Sequence, residues 1–410
     1  MEPSFGYAIT STFQAMRHRN FRLWFIGQLI SLVGTWMQTI AQNWLVYEMT
    51  GSAANLGLVN FVGAIPMVLL TFYAGTIADR FDKRRVIFWC QLMMMFLALI
   101  LGLLCWTETV QLWHVLVLAF LLGTAMAVDT PARQSFVVEL VGKEDLSNAI
   151  ALNSSIFHGA RVIGPAVAGI LIAAYGVTGA FFLNSASFLA VLLALSLMDI
   201  SLIRRTGGEI DSARDQFAGI RYLRENRMPR AVVLLISLSS LIVMPFYVLI
   251  PIIAKEILGG NAGSYGVLMS ATAIGSLIGS LFAANPHAVK NKGSILVASS
   301  LVFPALLLLL AFMKGYSTTI ITLFSVGLSY VVQNASANSL LQEHVPDHLR
   351  GRVLALYVSM LLGMMRIGSL LMGWTAEMTS TPTALASFAI AGIAVSLWIR
   401  RRYPELQLSA

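Results

Sequence analysis

Ionisable side chains are scarce inside the long apolar stretches of this 410-residue sequence, and the few found there have types and spacings that can do chemistry. Asp129, His158, Arg161 and Arg366 lie within such stretches, with Glu48, Glu139 and Glu343 near their ends. Asp129 and Arg133 are four residues apart, a spacing that lets a carboxylate meet a guanidinium on one helix face. Ser154, His158 and Arg161 follow at steps of four and three and share a face. An arginine in an apolar run is costly unless paired and marks a functional position. Arg161 and Arg366 are therefore candidates for holding an anionic small molecule, and Arg161 alternatively for pairing with Asp129. A purely structural use of both arginines is the competing reading.

Neutral polar groups form a second pattern. Gln28, Ser31, Thr35, Gln38 and Gln42 step by 3, 4, 3 and 4 residues and so line one face of one helix. A later run carries Ser329, Gln333, Asn334, Ser336 and Asn338. Amides facing lipid are costly, so both stripes should face protein or an aqueous cavity. Interhelical hydrogen bonding and ligand contact compete for each amide. No His-Glu-x-x-His, phosphate-binding Gly-rich loop or Gly-x-Ser-x-Gly occurs, and the six histidines are dispersed. The expectation is a non-enzyme with no cofactor or metal, powered by a gradient rather than by ATP.

These residues must be positioned by elements suited to lipid. The chain is 57% hydrophobic and 11% charged, against roughly 25% charged in soluble domains. A spanning helix needs about 20 mostly apolar residues. Twelve such runs can be drawn, at about 21–47, 53–74, 86–106, 111–133, 149–174, 179–199, 231–254, 264–284, 294–313, 318–340, 353–375 and 382–399. With the N-terminus inside, only Lys255, Lys314, Arg161 and Arg366 of the 27 Lys and Arg fall outside the inner segments. That bias supports both the span count and cytoplasmic termini. The net charge of +8 is thus a topology signature, and nucleic-acid binding is not expected. Cys90 and Cys105 share the third run, about 22 Å apart along a helix and beyond disulfide reach. The rest of that run is nearly apolar all round, as suits an outer helix.

The polar segment near 201–230 divides the chain into a first bundle at 1–200 and a second at 231–410. An offset of 204 residues aligns parts of the two halves without gaps. "AIALNSS" (149–155) faces "VLALYVS" (353–359), and Gly123, Gly159, Gly164 and Gly169 face Gly327, Gly363, Gly368 and Gly373. Arg161 faces Met365, next to Arg366. Two parallel six-helix halves with a site between them is a transporter architecture.

The loop "GTIADRFDKRR" (75–85) supplies Gly75, Asp79, Arg80, Arg84 and Arg85, and the fifth run supplies Gly164, Pro165 and Gly169 in "GARVIGPAVAG". Small residues permit close helix approach, and the proline allows a bend. The loop resembles the cytoplasmic loop motif of the major facilitator superfamily, with Asp82 where a glycine is usual. The second half, "GSLFAANPHAVK" from Gly279, lacks the aspartate, so a lock there would be asymmetric. The Gly-Pro stretch resembles the superfamily's antiporter motif. The run "DTPARQSFVVELVGKEDLSNAIALNSSIFHGARVIGP" resembles the branch with enterobactin exporters and macrolide efflux proteins.

The resemblance implies an all-α membrane protein with twelve transmembrane helices in two pseudo-symmetric six-helix bundles. It implies export of a small amphipathic molecule, siderophore or drug-like, by alternating access across a bacterial inner membrane. Gly75, Asp79, Arg80, Arg84, Arg85, Gly164, Pro165 and Gly169 would serve gating. Gln28, Thr35, Gln38, Gln42, Arg161, Gln333, Asn334, Asn338 and Arg366 would line the cavity, since the family's first and tenth helices face it. Many relatives carry an acid midway along the first helix; here only amides stand there, which leaves Asp129 as the proton-site candidate for antiport. Tyr357, Met360, Met364 and Met365 would suit an adaptable pocket or plain core filling. The expected partners are a small-molecule substrate, protons and membrane lipid, with a monomeric chain. Lipid translocation on the same fold, or a non-transporting receptor, are the alternatives.

Overall fold

The computed structural model describes residues 13–142, 144–203, 218–284 and 291–408, with the backbone alone at 68 and 71–80. Among the described residues the structure is helical, without strands. After a short 3₁₀ turn at Gln14–Arg17 come α1 (Arg19–Thr50), α2 (Ala53–Arg80), α3 (Lys83–Trp106) and α4 (Leu112–Val141). A continuous stretch, Leu146–Leu197, follows. Gly176 breaks it, with φ at 68° and ψ at −180°, giving α5 (146–175) and α6 (177–197). That φ is open to glycine and strained for other residues.

The short α7 (Ala218–Glu225) precedes α8, which begins as Arg227–Ile242. Pro245 and Pro251 cannot donate to the helical ladder. The chain accordingly tightens to 3₁₀ at Met244–Leu249 and loosens to a π turn at Ile253–Ile257. Then come α9 (Ala262–Ala283), α10 (Lys292–Leu310), α11 (Tyr316–His344), α12 (Asp347–Met378) and α13 (Thr381–Arg402). Side chains of Asp82, Asn261, Asn291 and Ser380 accept backbone N–H bonds at the starts of α3, α9, α10 and α13. These caps satisfy donors that a helix leaves open where it emerges from lipid.

Ten described helices are long and apolar enough to cross a membrane, among them the 52-residue stretch that Gly176 divides. With that division, and with α2, whose apolar described part is Ala53–Met67, the twelve expected spans are present.

Two compact units result: Met1–Leu45 with Val62–Ile210, and Val46–Phe61 with Asp211–Ala410. The ends of α1 and α2 that meet at Gly51 thus cluster with the second unit. In the first unit Phe21, Trp24, Ile87, Phe136, Val191 and Leu195 form a buried core at its basic end. The second has its own core, including Val232, Leu296, Leu340, Val353 and Tyr403.

The 204-residue correspondence reappears as packing. A Cβ on Gly123 of α4 would stand 2.0 Å from the Gly63 carbonyl oxygen of α2. On Gly327 of α11 it would stand 1.9 Å from the Thr272 oxygen of α9. Gly164 presses on Trp36 of α1, and Gly368 on the Leu241 oxygen of α8. Glycine is required where backbones approach this closely. The equivalent glycines of α4 and α11, and of α5 and α12, thus press on equivalent helices of their own units.

Candidate functional site

The first unit holds an ionic network at its centre. The α4 backbone carries Asp129 and Arg133 one turn apart, and they form a close ion pair. Asp129 is fully buried and also accepts a hydrogen bond from Gln91 Nε2 of α3 at 3.2 Å. Arg133 donates to Gln28 Oε1 of α1 at 2.6 Å. A buried carboxylate is costly unless paired and hydrogen-bonded, and here it is both. Nearer the basic end, buried Lys83 and Glu139 pair at 2.6 Å. Asp129 thus meets Arg133, and Arg161 stands elsewhere.

Arg161 of α5 lies over the Trp36 ring of α1, with 5.6 Å from guanidinium carbon to ring centroid. Phe157, one turn earlier, packs edge-on against the same indole. The aromatic face offers a cation a partner that costs little desolvation. His158 neighbours Phe157 in turn. Gly164 and Pro165 are buried, and the only non-helical backbone in Leu146–Leu197 is at Gly176.

The polar stripe of α1 divides its work. Gln28 and Gln38 are both buried, and Gln38 accepts from Asn184 of α6. Thr35 donates to its own helix at Ser31 O, 2.9 Å away. Gln42 is half-buried. Gly27 and Gly34, on the same face, abut Ala190, Asn184 and Ser187. The stripe therefore faces α4 and α6 of its own unit through Gln28 and Gln38.

In the second unit the corresponding stripe is neutral. Gln333 of α11 is buried and accepts a long 3.5 Å bond from Ser239 of α8, while its Nε2 has no partner among the described residues. Tyr357 of α12 donates to Asn334 Oδ1 at 3.2 Å, and Asn338 accepts from Gln342. Arg366 sits midway along apolar α12. Its described partner is the neutral Asn60 Oδ1 at 3.2 Å, and no carboxylate among the described residues pairs with it. Tyr47 donates a short bond to Glu256 in the π turn, and the Lys255 ammonium lies 5.6 Å from the Tyr47 ring.

Of the proposed gating residues, Gly75, Asp79 and Arg80 belong to α2, in a part described by its backbone alone. Arg84 donates from Nε to Leu195 O of α6 at 2.7 Å, and Arg85 is exposed. Gly169 is buried within α5.

Several participants were not selected from sequence. Gln91 is the main one: a single amide in the third run, which otherwise reads as a lipid-facing helix. Its isolation in an apolar stretch was the available signal. Asn184, Asn60, Tyr47 and Glu256 carry no local pattern, because their partners are distant in sequence.

Comparison with known proteins follows this geometry. The family model for the transmembrane secretion effectors matches residues 10–408. The chain is 28% identical to the staphyloferrin A transporter of Staphylococcus aureus, covering 92% of this chain and 94% of that protein. It is 24% identical to macrolide efflux protein A of Streptococcus pyogenes, covering 87% and 90%. Among solved structures, a bacterial homologue of the human lysosomal transporter Spinster matches with a TM-score of 0.76 at 11% identity, over 95% of this chain and 98% of that one. A nucleoside transporter matches at 0.73 and 12%, over 93% and 99%. These two show the fold alone. The chain, a multi-pass membrane exporter of small molecules and not an enzyme, belongs to the transmembrane secretion effector family of the major facilitator superfamily.

Proposed function

We propose that this protein exports a small amphipathic organic molecule bearing an anionic group, by alternating access coupled to inward proton movement, in a bacterial inner membrane. The observation that carries the reading is Arg366: a guanidinium midway along an apolar helix whose described partner is a neutral amide. A charge so placed is stabilised by an anion, and its fork suits a carboxylate. The relatives named for staphyloferrin A and for macrolides support siderophore or drug-like cargo. Gln333, with an unpartnered amide N–H, is the neutral contact proposed beside it, and Arg161 on Trp36 a second cationic contact.

Asp129 is the proposed proton site, since protonation would release Arg133 and, through it, Gln28. Rocking of 1–200 against 231–410 would provide access, with Asp79 and its basic neighbours, and the Gly164–Pro165–Gly169 helix, serving the gate.

Reconstitution in proteoliposomes tests this. A panel of carboxylate-bearing siderophores and neutral drug-like compounds is scored with the proton gradient intact and collapsed. The expected result is gradient-dependent flux of carboxylate-bearing members, lost in Arg366→Gln and partly kept in Arg366→Lys. Gradient-insensitive flux would sink proton antiport. Undiminished flux in Arg366→Gln would remove the arginine from cargo binding.

A further inference from the structure

The basic end of the first unit contains a pocket whose two arginines, Arg84 and Arg85, also belong to the proposed cytoplasmic gate. It has a volume of about 170 Å³ and is lined by Arg84, Arg85, Phe88 and Trp89 of α3 and by Ser196 of α6. The two helices run antiparallel and stay in contact along their length. Arg84 Nε donates to Leu195 O at 2.7 Å, Ser185 Oγ to Met95 O at 3.0 Å, and Gly102 packs on Phe182. The Arg84 bond fixes one edge of its guanidinium, and the other edge has no partner among the described residues. Arg85 is exposed, and its side chain has no hydrogen-bond or ion-pair partner among the described residues. Two positive charges therefore meet at one opening. The carboxylate of Asp82 is turned to the helix start, where it accepts the Arg85 backbone N–H at 3.2 Å.

The surface continuing from this opening is apolar. Along α3, Trp89, Phe96, Ile100 and Leu103 follow Arg85 at steps of four, seven, four and three and are exposed. Along α6, Leu189, Leu193 and Leu197 are exposed at steps of four. A cationic pocket at the end of an apolar face, with a tryptophan between them, is laid out like a lipid read from headgroup to acyl chain. Basic pockets between spanning helices recognise anionic headgroups, and tryptophan favours the headgroup level.

We propose that this α3–α6 groove is a binding site for an anionic phospholipid. The headgroup phosphate is held by Arg84 and Arg85 beside Ser196, and one acyl chain lies along Trp89, Phe96 and Leu193. The assignment does not depend on the identity of the exported cargo.

Thermal unfolding of the purified full chain in neutral detergent tests the site. It is titrated with dioctanoyl phosphatidylglycerol, dioctanoyl phosphatidylcholine or inorganic phosphate. The expected result is a concentration-dependent rise in the unfolding midpoint with phosphatidylglycerol alone. Arg85→Gln, at an exposed position without a fold contact, should shift that titration to about fivefold higher lipid, and Arg85→Lys should shift it less. Equal stabilisation by phosphatidylcholine would overturn the proposal. So would an Arg85→Gln titration that superimposes on the parent. A phosphate titration matching that of phosphatidylglycerol would replace the lipid by a free anion and overturn it as well.

Discussion

Asp129 and Gln333 stand 204 residues apart at equivalent places in α4 and α11, both buried, and they behave differently. In the first unit the position is a carboxylate paired with Arg133 one turn on, and Gln28 and Gln91 complete an ionic network. In the second unit the position is an amide. Ala337 replaces the arginine, and a 3.5 Å hydroxyl contact is the described bond. The two helices share equally close glycine approaches, at Gly123 and Gly327, so the difference lies in the chemistry of the buried side chains. A neutral centre offers no carboxylate to a proton, whereas the first unit's centre does. The proposed proton site accordingly lies in the first unit, and the second unit's arginine, Arg366, rests on the neutral Asn60, the arrangement proposed to suit an anionic cargo.

The strongest test exchanges the two centres. Asp129→Ala leaves a half-buried guanidinium without its carboxylate and should cost about 1–3 kcal/mol of unfolding free energy, since water can still reach Arg133. Asp129→Gln combined with Arg133→Ala installs the second unit's residues in the first. That double variant should recover most of the loss, because no charge is left unpaired. Thermal and denaturant unfolding in detergent measure both. Equal losses in the single and double variants would show that the pair does not act as a unit.

Packing should respond alike in both units. Gly123→Ala and Gly327→Ala each push a methyl group against a backbone oxygen at 2.0 and 1.9 Å. Each should cost about 1–3 kcal/mol by overpacking. A neutral outcome at one position and a large loss at the other would break the structural equivalence on which the charge comparison rests.

Hydropathy made the spans legible because a bilayer demands long apolar stretches: the run at 86–106 is the helix Lys83–Trp106, and that at 294–313 is Lys292–Leu310. Helical spacing also brings Asp129 and Arg133 together, since neighbours on one turn are set by geometry. What spacing cannot give is a partner on another helix. Gln28 meets Arg133 across 105 positions, and Tyr47 meets Glu256 across 209. Nor does a polar stripe say whether it faces cargo or protein. Gln28 and Gln38 have the same residue type and face as Gln42, yet those two are buried against α4 and α6. The clustering of 46–61 with the second unit is likewise set by tertiary contact, with no change in hydropathy at either boundary.

The smallest expected effect concerns the segments that precede α1 and α8. The turn Gln14–Arg17 docks on the start of α5: Ala15 N donates to Asn148 Oδ1 at 2.9 Å, and Arg17 and His18 both reach Asp145. In the second unit α7 occupies the equivalent place before α12, where Gly219 packs on Arg352 and Leu356, and Tyr222 donates to His344 O at 3.1 Å. The first clamp is ionic at Asp145, whereas the described contacts of the second are a glycine approach and a neutral hydrogen bond. The hydrogen bond from His18, followed by that from Arg17, holds the Asp145 carboxyl below its ordinary range, with burial opposing. A depressed carboxylate contributes stability above its unfolded pKa of about 3.9 and loses it as pH falls through the lower folded value. Hydrogen-exchange protection at 15–19 should therefore hold from neutral pH to about pH 4 and decline below it. Asp145→Asn should lower that protection at neutral pH, while 218–225 should show no matching change in either protein. If both segments lose protection together on acidification, the loss is global, and the Asp145 clamp is not its cause.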